Sequence, residues 1–182
     1  MGSRPKGRVS REYPDRPVVG VGGVVIDNGR ALLVRRGCEP LIGQWSIPGG
    51  MLELNETIQV GVMRELLEET GLEVRVVELI EVFERIFHPQ SPGNTLAASA
   101  PAASPGIPGS PSTGEISTSA RPQYHFVILD YLCERLGGEA RAGSDVTDVA
   151  FATEDELPRF QLTEAATRVL RKAFAMSRSK NR

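Results

Sequence analysis

The chain has 182 residues, 40% hydrophobic and 24% charged, with 21 basic against 23 acidic side chains and a formal charge of -2. That is the make-up of one soluble domain with a real core, and its near-neutral balance gives no bulk electrostatic reason to bind nucleic acid or an acidic membrane. Any phosphate recognition has to be local.

Residues 1–16 are polar, basic and interrupted by proline. They read as a disordered N-terminal tail with no apolar core of a signal peptide behind the charges. A domain is expected over 17–176, followed by a short polar tail, 177–182. Pro17 to Ile26 is rich in Val and Gly and reads as a strand. Asp27-Asn28-Gly29-Arg30 is a hairpin turn signal, and Ala31 to Val34 completes the pair. The glycines of Gly20-Val21-Gly22-Gly23 do not fit a dinucleotide fingerprint, because Val25 stands where a glycine is needed. They are expected to allow close backbone packing. Arg35 and Arg36 follow the second strand and are candidates for contacts to substrate phosphates.

Trp45 to Ile47 is a short strand ending at Pro48-Gly49-Gly50, with Trp45 expected in the core. Thr57 to Thr70 is a helix with Thr57 at its N-cap and Gly71 just beyond its end. Leu72 to Phe87 reads as a half-exposed strand. From about 89 to 121 Pro, Gly, Ser and Ala dominate and only Glu115 and Arg121 carry charge, a low-complexity insert expected to join two strands. Tyr124 to Cys133 and Val149 to Ala152 are further strands, in which Tyr124, Phe126 and Tyr131 read as ordinary strand residues. Ala166, Val169, Leu170, Ala173 and Phe174 mark the apolar face of a last helix. Strands mixed with two helices indicate layered α/β packing. No stretch reaches transmembrane length. Cys38 and Cys133, with His88 and His125, fit no zinc spacing, and the two cysteines indicate a reduced, cytoplasmic chain.

The first helix carries the chemistry. At 100° per residue Val60, Met63 and Leu67 fall on one side, expected to face the core, while Glu65, Glu68 and Glu69 share an arc of about 100° opposite, with Gly61 inside it. Like charges three and four residues apart repel, and the C-terminal end of a helix favours cations. Arg64 can pair with one of the three, which leaves an oxygen-rich, negative site of the kind that holds Mg²⁺ or Mn²⁺.

The wider spacing is more specific. Gly50 is followed by five residues to Glu56, seven more to Arg64-Glu65, then Glu68-Glu69 and Gly71 before the apolar Leu72. Seven positions at typical usage match by chance with a probability on the order of 10⁻⁶. This pattern resembles the Nudix box, and the resemblance covers roughly Val18 to Phe174. It implies an α/β/α sandwich with a mixed sheet. It also implies that Glu65, Glu68 and Glu69 ligate Mg²⁺, that Arg64 orients them, that Glu56 and Gly50 support the cluster, and that the Gly49 carbonyl is a further ligand. Some members add a carboxylate from a loop before the last strand; Asp145 is the nearest candidate here and Asp148 the second. Such a site suits a poly-anionic diphosphate, whose oxygens must be neutralised before water can approach phosphorus.

Pro40 to Trp45 and Tyr124 to Tyr131 are most similar to the ADP-ribose pyrophosphatases of that family. The resemblance therefore implies a hydrolase of a nucleoside diphosphate linked to another group, ADP-ribose yielding AMP and ribose 5-phosphate, and a homodimer. Two alternatives stay open. One is a nucleotide-sanitising hydrolase of oxidised nucleoside triphosphates; the other is a non-catalytic module that binds ADP-ribose-type ligands.

Overall fold

The computed structural model describes residues 11–39, 41–89 and 121–180, so most of the low-complexity insert lies outside the described residues. Seven strands and two α-helices follow the order β1 (Val18–Asp27), β2 (Arg30–Arg36), β3 (Trp45–Ser46), β4 (Gly49–Met51), α1 (Ile58–Thr70), β5 (Leu72–Phe87), β6 (Tyr124–Gly138), β7 (Val146–Ala152) and α2 (Glu164–Lys180). A 3-10 segment, Glu154–Phe160, precedes α2.

The β1–β2 turn forms because Asn28 and Gly29 both accept positive φ, 49° and 74°, as the expected tight hairpin requires. The main path through the strands is β3-β2-β1-β6-β5, with β4 added to β1 and β7 to β2. β1 and β6 run parallel, while β5 and β6 are antiparallel from Leu72↔Gly138 to Phe87↔Tyr124. The sheet is mixed.

Alternation along the strands sends successive side chains to opposite faces. Val24, Leu33 and Leu132 join the cluster under α2, with Val169, Leu170 and Phe174 of that helix. Val25, Leu32 and Cys133 join the cluster under α1, with Val62 and Leu66. The sheet lies between two helices, the α/β/α sandwich anticipated from the sequence. Trp45 packs on the α2 cluster and meets the Phe160 ring edge-on at 5.1 Å. Gly23 presses against Leu66, so the expectation of close packing holds there.

Three expectations are corrected. Val60, Met63 and Leu67 are exposed; α1 instead buries Gly61, Val62, Leu66, Glu69 and Thr70. Residues 11–16 are not loose, since Tyr13 donates its backbone N–H to the Gln123 carbonyl at 2.7 Å and Arg121 pairs with Asp15. At the other end Ser177 to Lys180 continue α2, held by Arg178–Glu154 and Lys180–Glu78 ion pairs.

Glu81 fastens α2 to β5 through Arg168 Nε at 2.8 Å and Lys172 Nζ at 2.6 Å. Burial works to raise its pKa, but the hydrogen bonds and charges of Arg168 and Lys172 outweigh it and hold the carboxyl below its ordinary 4.5. A lowered folded-state pKa contributes stability above the unfolded value and loses it as pH falls through the folded one. Glu81→Gln is therefore expected to cost about 1 kcal/mol at neutral pH, discounted for the exposed cations, and nothing once the pH is below that lowered value. Urea unfolding at pH 7 and at pH 3 checks both.

Candidate functional site

The loop before α1 is shaped by its own polar groups. The Glu53 N–H donates to Glu56 Oε2 at 3.0 Å, and Asn55 takes the left-handed conformation (φ 67°) that its type tolerates. Thr57 caps α1, its Oγ1 accepting from the Val60 N–H at 3.3 Å, and Gly71 ends the helix at φ 70°.

This fixes Arg64, which links more partners than the single carboxylate expected of it. Its Nε and Nη2 donate to the two oxygens of Glu56 at 2.8 and 2.9 Å, a bidentate fork. Nη1 reaches Glu65 Oε1 at 2.8 Å and Glu68 Oε2 at 3.3 Å, and Nη2 also donates to the Met51 carbonyl at 3.0 Å. Arg64 thus ties the loop, β4 and the acidic face of the helix together. Gly61 does not open the acidic arc to approach; a side chain there would meet Leu52 and Glu56.

Glu69 lies apart from this hub. Its Oε2 accepts the Gly49 N–H at 2.8 Å, and only 6% of the residue is exposed. A Cβ on Gly49 would come within 2.2 Å of the Val21 carbonyl, and one on Gly50 within 2.4 Å of the Glu65 carboxyl. Both glycines are needed for β4 to lie this close to the helix. Burial, aided by Asp145 and Glu65 and opposed by the Gly49 N–H, pushes the Glu69 carboxyl up to about 8. Burial also raises Glu65, against the pull of Arg64, whereas the Arg64 hydrogen bond holds Glu56 low. Among the described residues no three acidic, histidine or cysteine side chains are grouped closely enough to hold a metal ion by themselves. What stands here is an open row of carboxylates whose crowding favours a cation.

Asp145 reaches this row because its loop caps the end of α1. The Gly143 N–H donates to the Glu69 carbonyl and the Arg141 N–H to the Thr70 carbonyl, each at 3.0 Å, which satisfies groups a helix C-terminus leaves orphaned. The Cys38 thiol donates to Asp145 Oδ2 at 2.9 Å, and the Gly37 N–H to the Asp145 carbonyl at 2.7 Å. Burial of Asp145 is outweighed by Cys38, by its own backbone N–H and by Arg11 and Arg36, so its pKa is lowered. The Asp148 carboxylate accepts only the Val149 N–H among the described residues, and Asp148 does not line the cleft.

A cleft of about 1390 Å³ joins these groups, lined by Arg64, Glu65, Glu68, Glu69, Asp145 and Arg36 on its acidic side. Arg35 is not among the lining residues; its Nε is engaged by the Gly43 carbonyl at 3.0 Å. His88 and His125 also lie outside the cleft.

The rest of the lining was not read from sequence. It is a face of β5 and β6 carrying Phe83, Arg85, Phe87, Phe126, Ile128 and Asp130. Phe126 is therefore more than an ordinary strand residue. Arg85 stands over the Phe87 ring at 5.0 Å, and burial, then Arg36, lowers its pKa. Asp130 is 4% exposed, and burial together with Glu81 pushes its carboxyl up to about 7. The alternation Phe83, Arg85, Phe87 against Phe126, Ile128, Asp130 was a signal available in the sequence. Only the β5–β6 register, however, brings the two rows side by side.

The metal-free protein should show the electrostatic cost of this site. Glu69, raised from 4.5 to about 8, binds its proton more tightly when folded, so its stabilising contribution is full below the unfolded pKa and is lost as pH rises through 8. Thermal melts without divalent metal are expected to fall between about pH 5.5 and 8.5, and Glu69→Gln to flatten that decline. A divalent cation bound among these carboxylates would offset that decline most at the alkaline end.

The NUDIX domain family matches residues 16–173. A MutT-like protein of Streptomyces ambofaciens is 34% identical over 153 residues, 84% of this chain and 74% of that protein. The ADP-ribose pyrophosphatase of Methanocaldococcus jannaschii is 27% identical over 143 residues, 79% of this chain and 66% of that protein, so the match spans just under two thirds of its length. The crystal structure of a MutT Nudix hydrolase from Burkholderia pseudomallei superimposes with a TM-score of 0.62 at 25% identity, covering 87% of this chain and 98% of that one. With Gly50, Glu56, Arg64, Glu65, Glu68, Glu69 and Gly71 assembled in one structural unit, the chain belongs to the Nudix hydrolase family.

Proposed function

We propose that this protein is a Mg²⁺-dependent pyrophosphohydrolase that cleaves the diphosphate of a nucleoside diphosphate derivative, with ADP-ribose giving AMP and ribose 5-phosphate. The observation that carries the reading is the meeting, in one cleft, of the carboxylate row organised by Arg64 and an aromatic sheet face. Each end suits one part of such a substrate: charge for the diphosphate, apolar rings for the group attached to it. The ADP-ribose pyrophosphatase among its relatives supports the choice of substrate.

Glu65, Glu68 and Glu69, with the Gly49 carbonyl, are the groups that would hold the ion. An open set of hard oxygen donors suits Mg²⁺, which keeps several waters and completes its shell with substrate phosphates; Mn²⁺ is the alternative. When bound, the ion supplies charge neutralisation at the diphosphate oxygens and acidifies water. Arg64 and Glu56 fix the row, Gly50 leaves room for Glu65, and Arg36 and Asp145 border the space for the phosphates. In this reading Glu68, half exposed with only one oxygen on Arg64, accepts the proton of the attacking water as the water oxygen bonds to phosphorus and the bridging P–O bond breaks.

A product assay over ADP-ribose, NADH, diadenosine polyphosphates and oxidised and normal nucleoside triphosphates, with and without Mg²⁺, tests this. Metal-dependent release of AMP and ribose 5-phosphate from ADP-ribose is the expected result. Turnover of oxidised triphosphates alone would replace it with a sanitising role. Silence across the panel with a melting-temperature rise on ADP-ribose would replace it with a binding module.

A further inference from the structure

We infer that Asp130 is a specificity-determining residue whose carboxyl binds the hydroxyls of a pentose joined to the diphosphate; this rests on the function proposed above. Asp130 is more than nine-tenths buried in the lining of the cleft, yet no described residue donates a hydrogen bond to its carboxyl. Among the described residues no fully buried side-chain nitrogen or oxygen is left unpartnered, so the Asp130 carboxyl oxygens are not sealed off from the cleft. Its strand neighbour Glu81 is engaged by Arg168 and Lys172 and faces it only as a like charge.

With no protein donor, the acceptor sites of this carboxyl are open to donors from the cleft, water or a ligand alike, and the backbone around it leaves room for it. Gly22, its neighbour on β1, leaves the space that Oδ1 occupies; a Cβ there would stand 2.1 Å from that oxygen. A ligand hydroxyl can take the place of water at these oxygens.

Position selects the chemistry of that partner. Gly49, Gly22 and Asp130 form one row across β4, β1 and β6, and the Gly49 N–H is bonded to Glu69. Two strand spacings, about 9.6 Å, separate Gly49 from Asp130. That is the reach from a diphosphate beside the carboxylate row across one attached pentose. Phe126 lies four residues further along β6, about 13 Å away, and offers a surface for what the pentose carries. The vicinal hydroxyls of a pentose supply two donors to the two oxygens of one carboxylate.

The test measures kcat and KM for the full chain and for Asp130→Asn, with ADP-ribose, its 2′,3′-dideoxyadenosine analogue, and the ethyl ester of ADP, which lacks the terminal ribose. The variant should raise KM for ADP-ribose by about tenfold with kcat nearly unchanged, as expected for a hydrogen bond lost from a buried site. For the analogue lacking the relevant hydroxyls, variant and parent should converge; the dideoxy compound and the ethyl ester distinguish the two pentoses. Equal losses on all three substrates, or none on ADP-ribose, would overturn the inference. Should the parent chain fail to hydrolyse ADP-ribose, the proposed function falls. The inference is then read from the melting-temperature rise with ADP-ribose, where an equal rise in parent and variant, zero included, overturns it.

Discussion

Glu69→Gln is expected to lower turnover by about two to three orders of magnitude while the protein stays folded, a loss typical of removing one charged group from a preorganised site. Gln has the same shape, and its amide oxygen can still accept the Gly49 N–H that now ends on Oε2. What disappears is the negative charge, which burial and the neighbouring acids already resist. Above pH 7 the metal-free variant should therefore melt higher than the parent although its activity collapses. Glu68→Gln should lose turnover without that gain, because its side chain is half exposed. Steady-state kinetics alongside melting curves separate the two. Full activity in both variants would remove the acidic row from the mechanism.

Arg64→Leu should have the largest effect on stability. The side chains of Glu56 and Glu65 are only 9% and 13% exposed, and both depend on the guanidinium. Removing one partner from a desolvated network leaves uncompensated charge and costs about 3–5 kcal/mol, far more than an exposed pair. Arg64→Lys keeps the charge but not the fork that joins Glu56, Glu65 and the Met51 carbonyl, so it should fall between parent and Leu. Urea unfolding reads the order, and kcat should follow it. A cost below about 1 kcal/mol for Leu would reduce Arg64 to a surface charge.

The features legible in the sequence were those written in local chemistry. Thr57 and Gly71 marked the ends of α1, Asn28-Gly29 the first hairpin, and the five apolar residues of α2 are its buried face. The box spacing placed Arg64 and its glutamates in one unit. The core-facing side of α1 was misread because an apolar count favours Val60, Met63 and Leu67. The helix instead packs through a narrow Val62–Leu66 pair, flanked by Gly61, Glu69 and Thr70, close against β4. Burial of a glutamate and a threonine there follows from hydrogen bonds to Gly49 and Leu66, partners distant in the chain or hidden in the backbone. Arg85 and Asp130 were missed for a similar reason. Each is unremarkable in its own strand, and its meaning comes from a register between strands separated by the insert.

The cap on the end of α1 has a mechanical consequence. Gly143 and Arg141 hold the last carbonyls of the helix, while Asp145 is held by Gly37 and Cys38. Three stretches that are far apart along the chain therefore open together or stay closed together, as one cooperative unit. Fluctuations that would part Asp145 from the acidic row must first fray the helix that carries the row. The distance between these carboxylates is thus protected by the cost of local unfolding, not by rigidity of the loop itself.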